Sequence, residues 1–384
     1  MIDRVVVWVL MRKGYTPRGY QSTSAARGTI PDVRTGSTIP SRCGLRAVRH
    51  SGWARLCIVV AACLCLGAAC QSTPDRTDGR TPVWIDTDVA IGEPDRDVSD
   101  AFAIIQALHS PGLDVRGVSA VFGNVPLVRT WPIAKDLVGR FGPEDVRAWR
   151  GAEGPHERQA PTEASEALAA ALGAEPLTVI ALGPLTNIAS LLERKPALGR
   201  RITRIVAVAG RRPGQRFTTG AVNPRGHRDL NVELDVAALR VVLDSGVPLT
   251  LAPFELSSQV VVDASDLEAL GEGPVAARFL AESSGPWLRL WQEVFAMDGF
   301  SPFDTLAVDL VASPDSIACM EARAVIEPWP ADEIEPRLHG QFNAAREALI
   351  VRYAADAGER GRAVTYCHTP DEGFKARLMD ALLR

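Results

Sequence analysis

The stretch WIDTDVAIGEPDRDVSDAFAI, Trp84 to Ile104, crowds Asp86, Asp88, Glu93, Asp95, Asp97 and Asp100 between two apolar runs. Pro82 to Ile85 leads in and Ala101 to Leu108 leads out. A short apolar run, a polar loop and a longer amphipathic run read as strand, loop and helix. The two-residue period of a strand puts Asp86 and Asp88 on one side of its end, and Asp100 opens the helix. Carboxylates held together repel, and burial raises their pKa values unless a cation compensates. A hard divalent cation answers this. Calcium suits it best, because it takes many oxygen ligands in irregular geometry. Asp86, Asp88 and Asp100 therefore read as parts of a site. Glu93, Asp95, Arg96 and Asp97 read as a solvated charged loop.

The rest of the chain continues the alternation. VWID, VRGVSAVFG, LTVIALG, RIVAVAG and PLTLAPF read as strands. DAFAIIQALHS, PLVRTWPIAKDLVGRFG, SEALAAALGA, PLTNIASLLER and DVAALRVVLDSG read as helices. This β-α repetition predicts an α/β protein, one large domain with a mostly parallel, open Rossmann-like central sheet flanked by helices. Such sheets bind ligands at the carboxyl ends of their strands. The carboxylates follow the first strand, Gly123-Asn124 the second and Leu182-Gly183-Pro184 a third, so three special loops share one edge. Trp287 and Trp291, four apart in GPWLRLWQEVF, have helical spacing and read as core. Arg211, Arg212 and Arg216 in GRRPGQRF read as a solvated loop.

Charge and cysteines bound the function classes. Residues 1–55 carry ten Lys and Arg against Asp3 and Asp32, a charge of +8, so the net −4 of the chain leaves −12 on the remainder. An acidic body argues against non-specific nucleic-acid binding. Leu56 to Ala69, behind Arg49 and Arg55, has the apolar core and small-residue end of a secretory signal. It is shorter than a typical membrane span. Cys70 after Leu66-Gly67-Ala68-Ala69 resembles the acceptor cysteine of a bacterial lipoprotein, although Gly67 stands where a larger aliphatic residue is preferred. A cleaved signal and a single anchor helix are the other readings. We expect residues 1–47 to be disordered or untranslated in vivo, 48–70 to be the signal or lipoprotein segment, 71–80 a linker and 81–384 the functional domain. This places the protein in the bacterial cell envelope, touching the membrane only through its N-terminal segment. Of the seven cysteines, only Cys319 and Cys367 lie in the body. They read equally as a disulfide or as two buried free thiols, and no zinc spacing is present.

The stretch at 84–104 resembles the N-terminal signature of the nucleoside hydrolases, the inosine-uridine preferring N-ribohydrolases. Asp86-Thr87-Asp88 is similar to the family's Asp-x-Asp, and Ser99-Asp100-Ala101 to its Asp-Asp-Ala. Further similar segments follow in order: VFGN ending at Asn124, RGAEGP at 150–155, LGPLTNIA at 182–189, Asn223 with Asp229-Leu230-Asn231, and Phe303-Asp304. The resemblance implies calcium held by Asp88, Asp100, Asp304 and the backbone carbonyl of Leu182. It implies Asp88 as the base that takes a proton from a calcium-bound water. Ser99, Asn124, Asn223, Asp229 and Asn231 would contact the sugar, with Phe303 near the base and Asp86 buttressing the metal loop. The implied reaction is hydrolysis of the ribonucleoside N-glycosidic bond to ribose and free base. The substrate would be a small-molecule nucleoside, and the assembly a homodimer or homotetramer.

Three positions depart from the pattern. Ser99 replaces an acid that contacts ribose, and Asp97 is the nearest acid able to reach in from the longer loop. Phe303 replaces a histidine that helps protonate purines. Asp229 shortens the usual Glu. His156 and His227 read as surface residues rather than replacement acids. Two rival readings follow: a calcium-dependent ribose- or nucleoside-binding lipoprotein with little catalysis, and a hydrolase of another N-riboside such as nicotinamide riboside.

Overall fold

The computed structural model describes residues 79–215, 217–218, 229–328, 347–358 and 360–384. Strand β1 (Thr81–Thr87) lies inside the main sheet, with strands paired on both sides. Its alternation explains why. Val83 and Ile85 enter one hydrophobic core and Trp84 enters the other, all of them buried. A strand buried on both faces belongs inside a parallel sheet covered by helices on both sides. The Trp84 indole N–H is satisfied by Ser119 Oγ at 2.9 Å on the neighbouring strand.

The other strands are β2 (Leu113–Ala120), β3 (Ala148–Arg150), β4 (Leu177–Ala181), β5 (Ile202–Ala207), β6 (Leu249–Leu251), β7 (Val262–Asp263), β8 (Gly299–Phe300), β9 (Ile317–Pro328), β10 (Glu347–Tyr353) and β11 (Arg362–Pro370). The main sheet runs β10-β9-β11-β6-β5-β4-β1-β2-β3, and β7 pairs with β8 apart from it. Every pair from β11 to β3 is parallel, while β9 is antiparallel to both β11 and β10. The predicted α/β class and mostly parallel sheet hold. The antiparallel edge was not anticipated. After β1 the chain steps outward through β2 and β3, then returns to place β4 on the other side of β1. That reversal opens a crevice beyond the carboxyl ends of β1 and β4, where such sheets take ligands.

The helix Ser99–His109 starts at this crevice. Its residues from Ser99 to Ala107 are buried, which fits a helix packed between the sheet and the helices Thr305–Ala312 and Phe374–Leu382. Phe102 meets Phe300 edge-on at 5.9 Å. The helix stops at Ser110, before Pro111, a residue that cannot continue it. Trp287 and Trp291 are buried on the helix Val275–Phe295, as their spacing predicts. Among the described residues no helix is long and apolar enough to cross a membrane.

The free-thiol reading of Cys319 and Cys367 is overturned. They face each other across β9 and β11 and are joined by a disulfide. The sequence leaves this open because their 48-residue separation says nothing of strand register. Removing a disulfide that closes a loop frees unfolded-chain entropy, so Cys319→Ser should cost about 2–4 kcal/mol. Denaturant unfolding of the variant against the parent, both unreduced, measures this. Equal midpoints would refute it.

Candidate active site

Asp88 follows β1 directly and is buried. Its Oδ2 accepts the backbone N–H of Asn124 at 2.7 Å. Two glycines make room for it. A methyl group on Gly123 would sit 1.9 Å from Asp88 Oδ2, and one on Gly183 would sit 3.0 Å from Asp88 Cβ. The loops after β2 and β4 therefore close on the Asp88 carboxylate from two sides, and the Leu182–Gly183 peptide runs beside it.

Asp100, in the first turn of the helix Ser99–His109, lies next to it. Thr87 Oγ1 donates a short hydrogen bond to Asp100 Oδ1, and Asn124 Nδ2 reaches Asp100 Oδ2 at 3.4 Å. Asp304 arrives from the far end of the chain, at the start of the helix Thr305–Ala312. Ser99 ties the set together: its hydroxyl donates to Asp304 Oδ2 at 2.5 Å, and its N–H donates to Asp97 Oδ1 at 2.9 Å.

Two expectations need correction here. Asp97 does not belong to a solvated loop. It folds back onto Ser99, and its charge acts on Asp88, Asp100 and Asp304. Ser99 is fully buried and its hydroxyl is directed at Asp304, so it is not placed as a sugar-facing residue. The physical reason is the same for both: a serine between acids is drawn to donate to them.

The charges are costly as they stand. Burial, then repulsion from Asp100, raises Asp88 well above its ordinary value. Burial, then repulsion from Asp100 and Asp97, does the same to Asp304. Burial lifts Asp100 to about 7 despite the Thr87 hydrogen bond. Burial likewise lifts Asp97 to about 6, although part of its surface stays open. Clustered, buried oxygen donors that repel one another are the donor chemistry of a hard divalent cation. Among the described residues no three such side chains stand closed at ligand spacing. The aspartates share one electrostatic neighbourhood and form an open set rather than a finished cage.

Asp86 turns away from this group. Its Oδ1 accepts Ser119 Oγ and Asn187 Nδ2, the latter at 2.8 Å, and burial raises it to about 7. Asn187 also donates to the Ala120 carbonyl and accepts the Ala152 N–H, joining the ends of β1 and β2 to the loop after β3. Sequence reasoning passed over Asn187, Ser119 and Thr87. Their only signals were positions inside LGPLTN, at the end of β2 and between two aspartates.

The sugar-side candidates divide. Asn124 and Asn231 are half-buried at the same edge. Asn231 Nδ2 donates to the carbonyls of Leu182 at 2.6 Å and Val208 at 3.1 Å. Asp229 is buried, accepts the Gly210 N–H at 2.7 Å and caps the helical turn Leu230–Glu233. Burial lifts it to about 6, opposed by the Arg211 guanidinium. Asn223 and His227 lie outside the described residues. His156 is exposed on the turn Pro155–Glu157.

An aromatic wall borders the acids. Phe303 stacks on Phe254 at 5.9 Å and touches Trp291 at 6.1 Å; Phe254 meets Phe217 at 4.9 Å. Arg211 is not solvated as expected. It is buried with its guanidinium 3.9 Å above the Phe217 ring. Arg212 pairs with Glu255 and donates to Tyr353 Oη at 2.6 Å. Arg216 lies outside the described residues.

The crevice of the parallel sheet thus brings together buried acids, side-chain amides and, from Phe303 beside Asp304, an aromatic wall. The chain belongs to the inosine-uridine preferring nucleoside hydrolase family, whose model matches residues 83–370. This family consists of N-glycosyl hydrolases, and it is metal-dependent. The chain is 30% identical over 218 residues to the non-specific ribonucleoside hydrolase RihC of Klebsiella pneumoniae, covering 50% of this chain and 67% of that protein. It is 29% identical over 318 residues to the pyrimidine-specific ribonucleoside hydrolase RihA of Escherichia coli, covering 74% and 94%. In structure it is similar to a plant nucleoside hydrolase, PpNRh1, with a TM-score of 0.64 and 21% identity over 79% of this chain and 99% of that one.

Two measurements test this geometry. Gly123→Ala forces the Asp88 carboxylate aside, and a displacement of this size at a reacting group should cost about a hundredfold in kcat/KM. Circular dichroism should show the fold kept; full activity would mean that the Gly123 contact is not a constraint. The second is pH dependence without metal. Asp100 is raised in the folded state from 3.8 to about 7, so between those values the folded protein holds a proton the unfolded chain has released. Stability therefore falls as pH rises through that window. The thermal midpoint in chelator should be higher at pH 5 than at pH 8, and calcium should raise it most at pH 8. A midpoint that rises over this range would contradict the assignment.

Proposed function

We propose that the protein is a calcium-dependent N-ribohydrolase that splits ribonucleosides into ribose and free base. The observation that carries this reading is that Asp88 and Asp100, from one strand-loop-helix stretch, meet Asp304 from a distant part of the chain, with the loop that carries the Leu182 carbonyl packed against Asp88. Asp88, Asp100, Asp304 and that carbonyl would hold the ion. Bound there, calcium supplies Lewis acidity that brings deprotonation of a water within reach near neutral pH.

The chain's own residues do the rest. Asp88 accepts the proton of the attacking water, oriented by the Asn124 N–H on its other oxygen. A bond forms from the water oxygen to the anomeric carbon on the face opposite the base. The C–N bond breaks with its electron pair going to the base, which takes up one proton to leave as free base. The sugar passes through a cationic, oxocarbenium-like state. Fixed negative charge around the ring favours that state by preorganised electrostatics. Asn124, Asn223, Asp229 and Asn231 would receive the sugar hydroxyls. Phe303 and its stacked neighbours would hold the base by π contact. Asp86, fixed by Ser119 and Asn187, would orient the metal loop.

The wall around Phe303 also favours a second substrate class. Its aromatic rings stack on a base but do not protonate it, which suits a cationic N-riboside such as nicotinamide riboside, whose base leaves neutral. A binding protein with little catalysis is the weaker reading, since it has no use for a buried base such as Asp88.

We further propose that residues 48–70 export the protein, with lipid attachment at Cys70 and a linker over 71–80, and that it works in the bacterial cell envelope as a homodimer or homotetramer. Support comes from the signal-like run before Cys70 and from the disulfide, which is at home in an oxidising compartment.

The test is release of free ribose from a panel of purine, pyrimidine and nicotinamide ribosides with calcium. Release should stop with chelator, and Asp88→Ala should lower kcat by about a hundredfold to ten-thousandfold, the range of a general base. Ribose release unchanged by either treatment would refute the roles given to the ion and to Asp88.

A further inference from the structure

We propose that Arg211 is a positioning residue of the sugar subsite: its buried guanidinium, carried on the Phe217 ring, holds Asp229 as the charged acceptor of a ribose hydroxyl. This rests on the reading of Asp229 as a sugar contact. Arg211 is 1% exposed, and nothing in the reaction so far makes use of it. A cation taken out of water is costly unless its surroundings compensate. Two features compensate here. The guanidinium carbon lies 3.9 Å above the Phe217 ring, the geometry of a cation–π contact. Its charge also acts on Asp229, which is buried too.

The backbone fixes where this cation sits. Gly210, in the left-handed region at φ 89°, turns the chain out of β5. Arg211 then accepts from and donates to the edge strand β10: its N–H meets the Leu349 carbonyl at 3.1 Å, and its carbonyl takes the Val351 N–H at 2.7 Å. One residue earlier, the Gly210 N–H donates to Asp229 Oδ2 at 2.7 Å. Acid and cation are therefore tied to the same short segment. Phe217 continues into the wall through Phe254 and Phe303. The guanidinium stands where the sugar-side acid and the base-side wall meet.

The balance of charge at Asp229 is close. Burial favours its neutral form most strongly, and the Arg211 cation is the main opposing influence, helped by the Gly210 and Val232 amides. Glu233, on the same helical turn, works against the charge. Arg211 and Glu233 are the charged groups among the described residues that act on it. The result is a carboxyl at about 6, ionised at neutral pH by a small margin. An ionised acceptor makes the stronger hydrogen bond to a hydroxyl. Without the guanidinium, burial and Glu233 would keep the acid protonated near neutral pH.

The probe is a C-nucleoside, whose base is joined to ribose by a carbon–carbon bond that water does not cleave. Its affinity is measured by calorimetry in saturating calcium at pH 6.5 and pH 8.5. A neighbouring cation lowers a carboxyl by about one to three pH units. Arg211→Met should therefore bind the probe about tenfold more weakly than the parent at pH 6.5, and within about threefold of it at pH 8.5, where Asp229 ionises again. Arg211→Lys keeps a cation and should stay within about threefold of the parent at both. Asp229→Asn should weaken binding at both, and adding Arg211→Met to it should bring no further pH dependence.

A loss in Arg211→Met that is equal at the two pH values would make the arginine a brace alone and overturn the proposal. So would a pH-dependent loss that persists beside Asp229→Asn. Tighter binding of the 5′-phosphorylated probe by the parent, lost in Arg211→Met, would put the guanidinium on the substrate itself and overturn it as well. A parent that does not bind the probe removes the sugar role of Asp229 and this inference with it. The expected pH pattern in a protein that releases no ribose from any nucleoside would leave the inference standing and remove the hydrolase reading.

Discussion

Mutual repulsion among four aspartates at the carboxyl ends of β1 and β4 is the constraint around which the fold is arranged. Each of the donors that steady them, the Thr87 and Ser99 hydroxyls and the Asn124 and Ser99 amides, is neutral. They orient the carboxylates without discharging them. Held negative charge is what a divalent cation and a cationic sugar both require. The stability this withholds is recovered elsewhere. Val83 and Ile85 on one face of β1, and Trp84 on the other, anchor the strand that carries the acids into two separate cores.

A second set of contacts braces the aromatic wall that begins beside Asp304. Beyond β5 the chain bridges to the edge strand β10, where Arg211 exchanges backbone hydrogen bonds with Leu349 and Val351. Arg212 then pairs with Glu255, and Tyr366 Oη donates to the same carboxylate at 2.8 Å. Phe254, next to Glu255, stacks between Phe217 and Phe303. Tyr366 precedes Cys367, whose disulfide joins β11 to β9. The C-terminal strands are therefore connected by direct contacts to the aromatic wall. That gives them a reason to be rigid that the parallel part of the sheet alone would not supply.

Much of this was legible in the sequence, and the boundary of what was legible is physical. Period-two and helical patterns, with Gly and Pro punctuation, are local properties. The strands around VWID, LTVIA and RIVAVA and the helices between them could be read directly. Which loops share an edge follows from the parallel topology, and Asp88, Asp100 and Leu182 were placed by that rule. The antiparallel β9 and β10 were not legible, since strands that leave much of their length open, as β9 does, or lie at the sheet edge, as β10 does, lack the double-faced apolar pattern of buried ones. Nor was the pairing of Cys319 with Cys367, which depends on register across two strands far apart in the chain. Arg211 read as solvated because a cluster of arginines usually is; only its packing over Phe217 says otherwise. Asn187 and Ser119 escaped notice because neutral residues that position acids carry no charge signal of their own.

Ser99 shows how far a single substitution can mislead when read in isolation. Taken alone, a missing acid at a sugar-binding position argues for lost catalysis. In the fold, the serine donates to two acids at once, and one of them, Asp97, lies on a loop that the resemblance treats as mere extra length. The loop bends sharply just before it, with Asp95 in the left-handed region at φ 55°, and folds Asp97 back toward the helix. A non-glycine residue held in that region persists only where surrounding structure over-determines it. Held there by the Ser99 N–H, the fourth carboxylate adds to the repulsion that raises Asp88, Asp100 and Asp304.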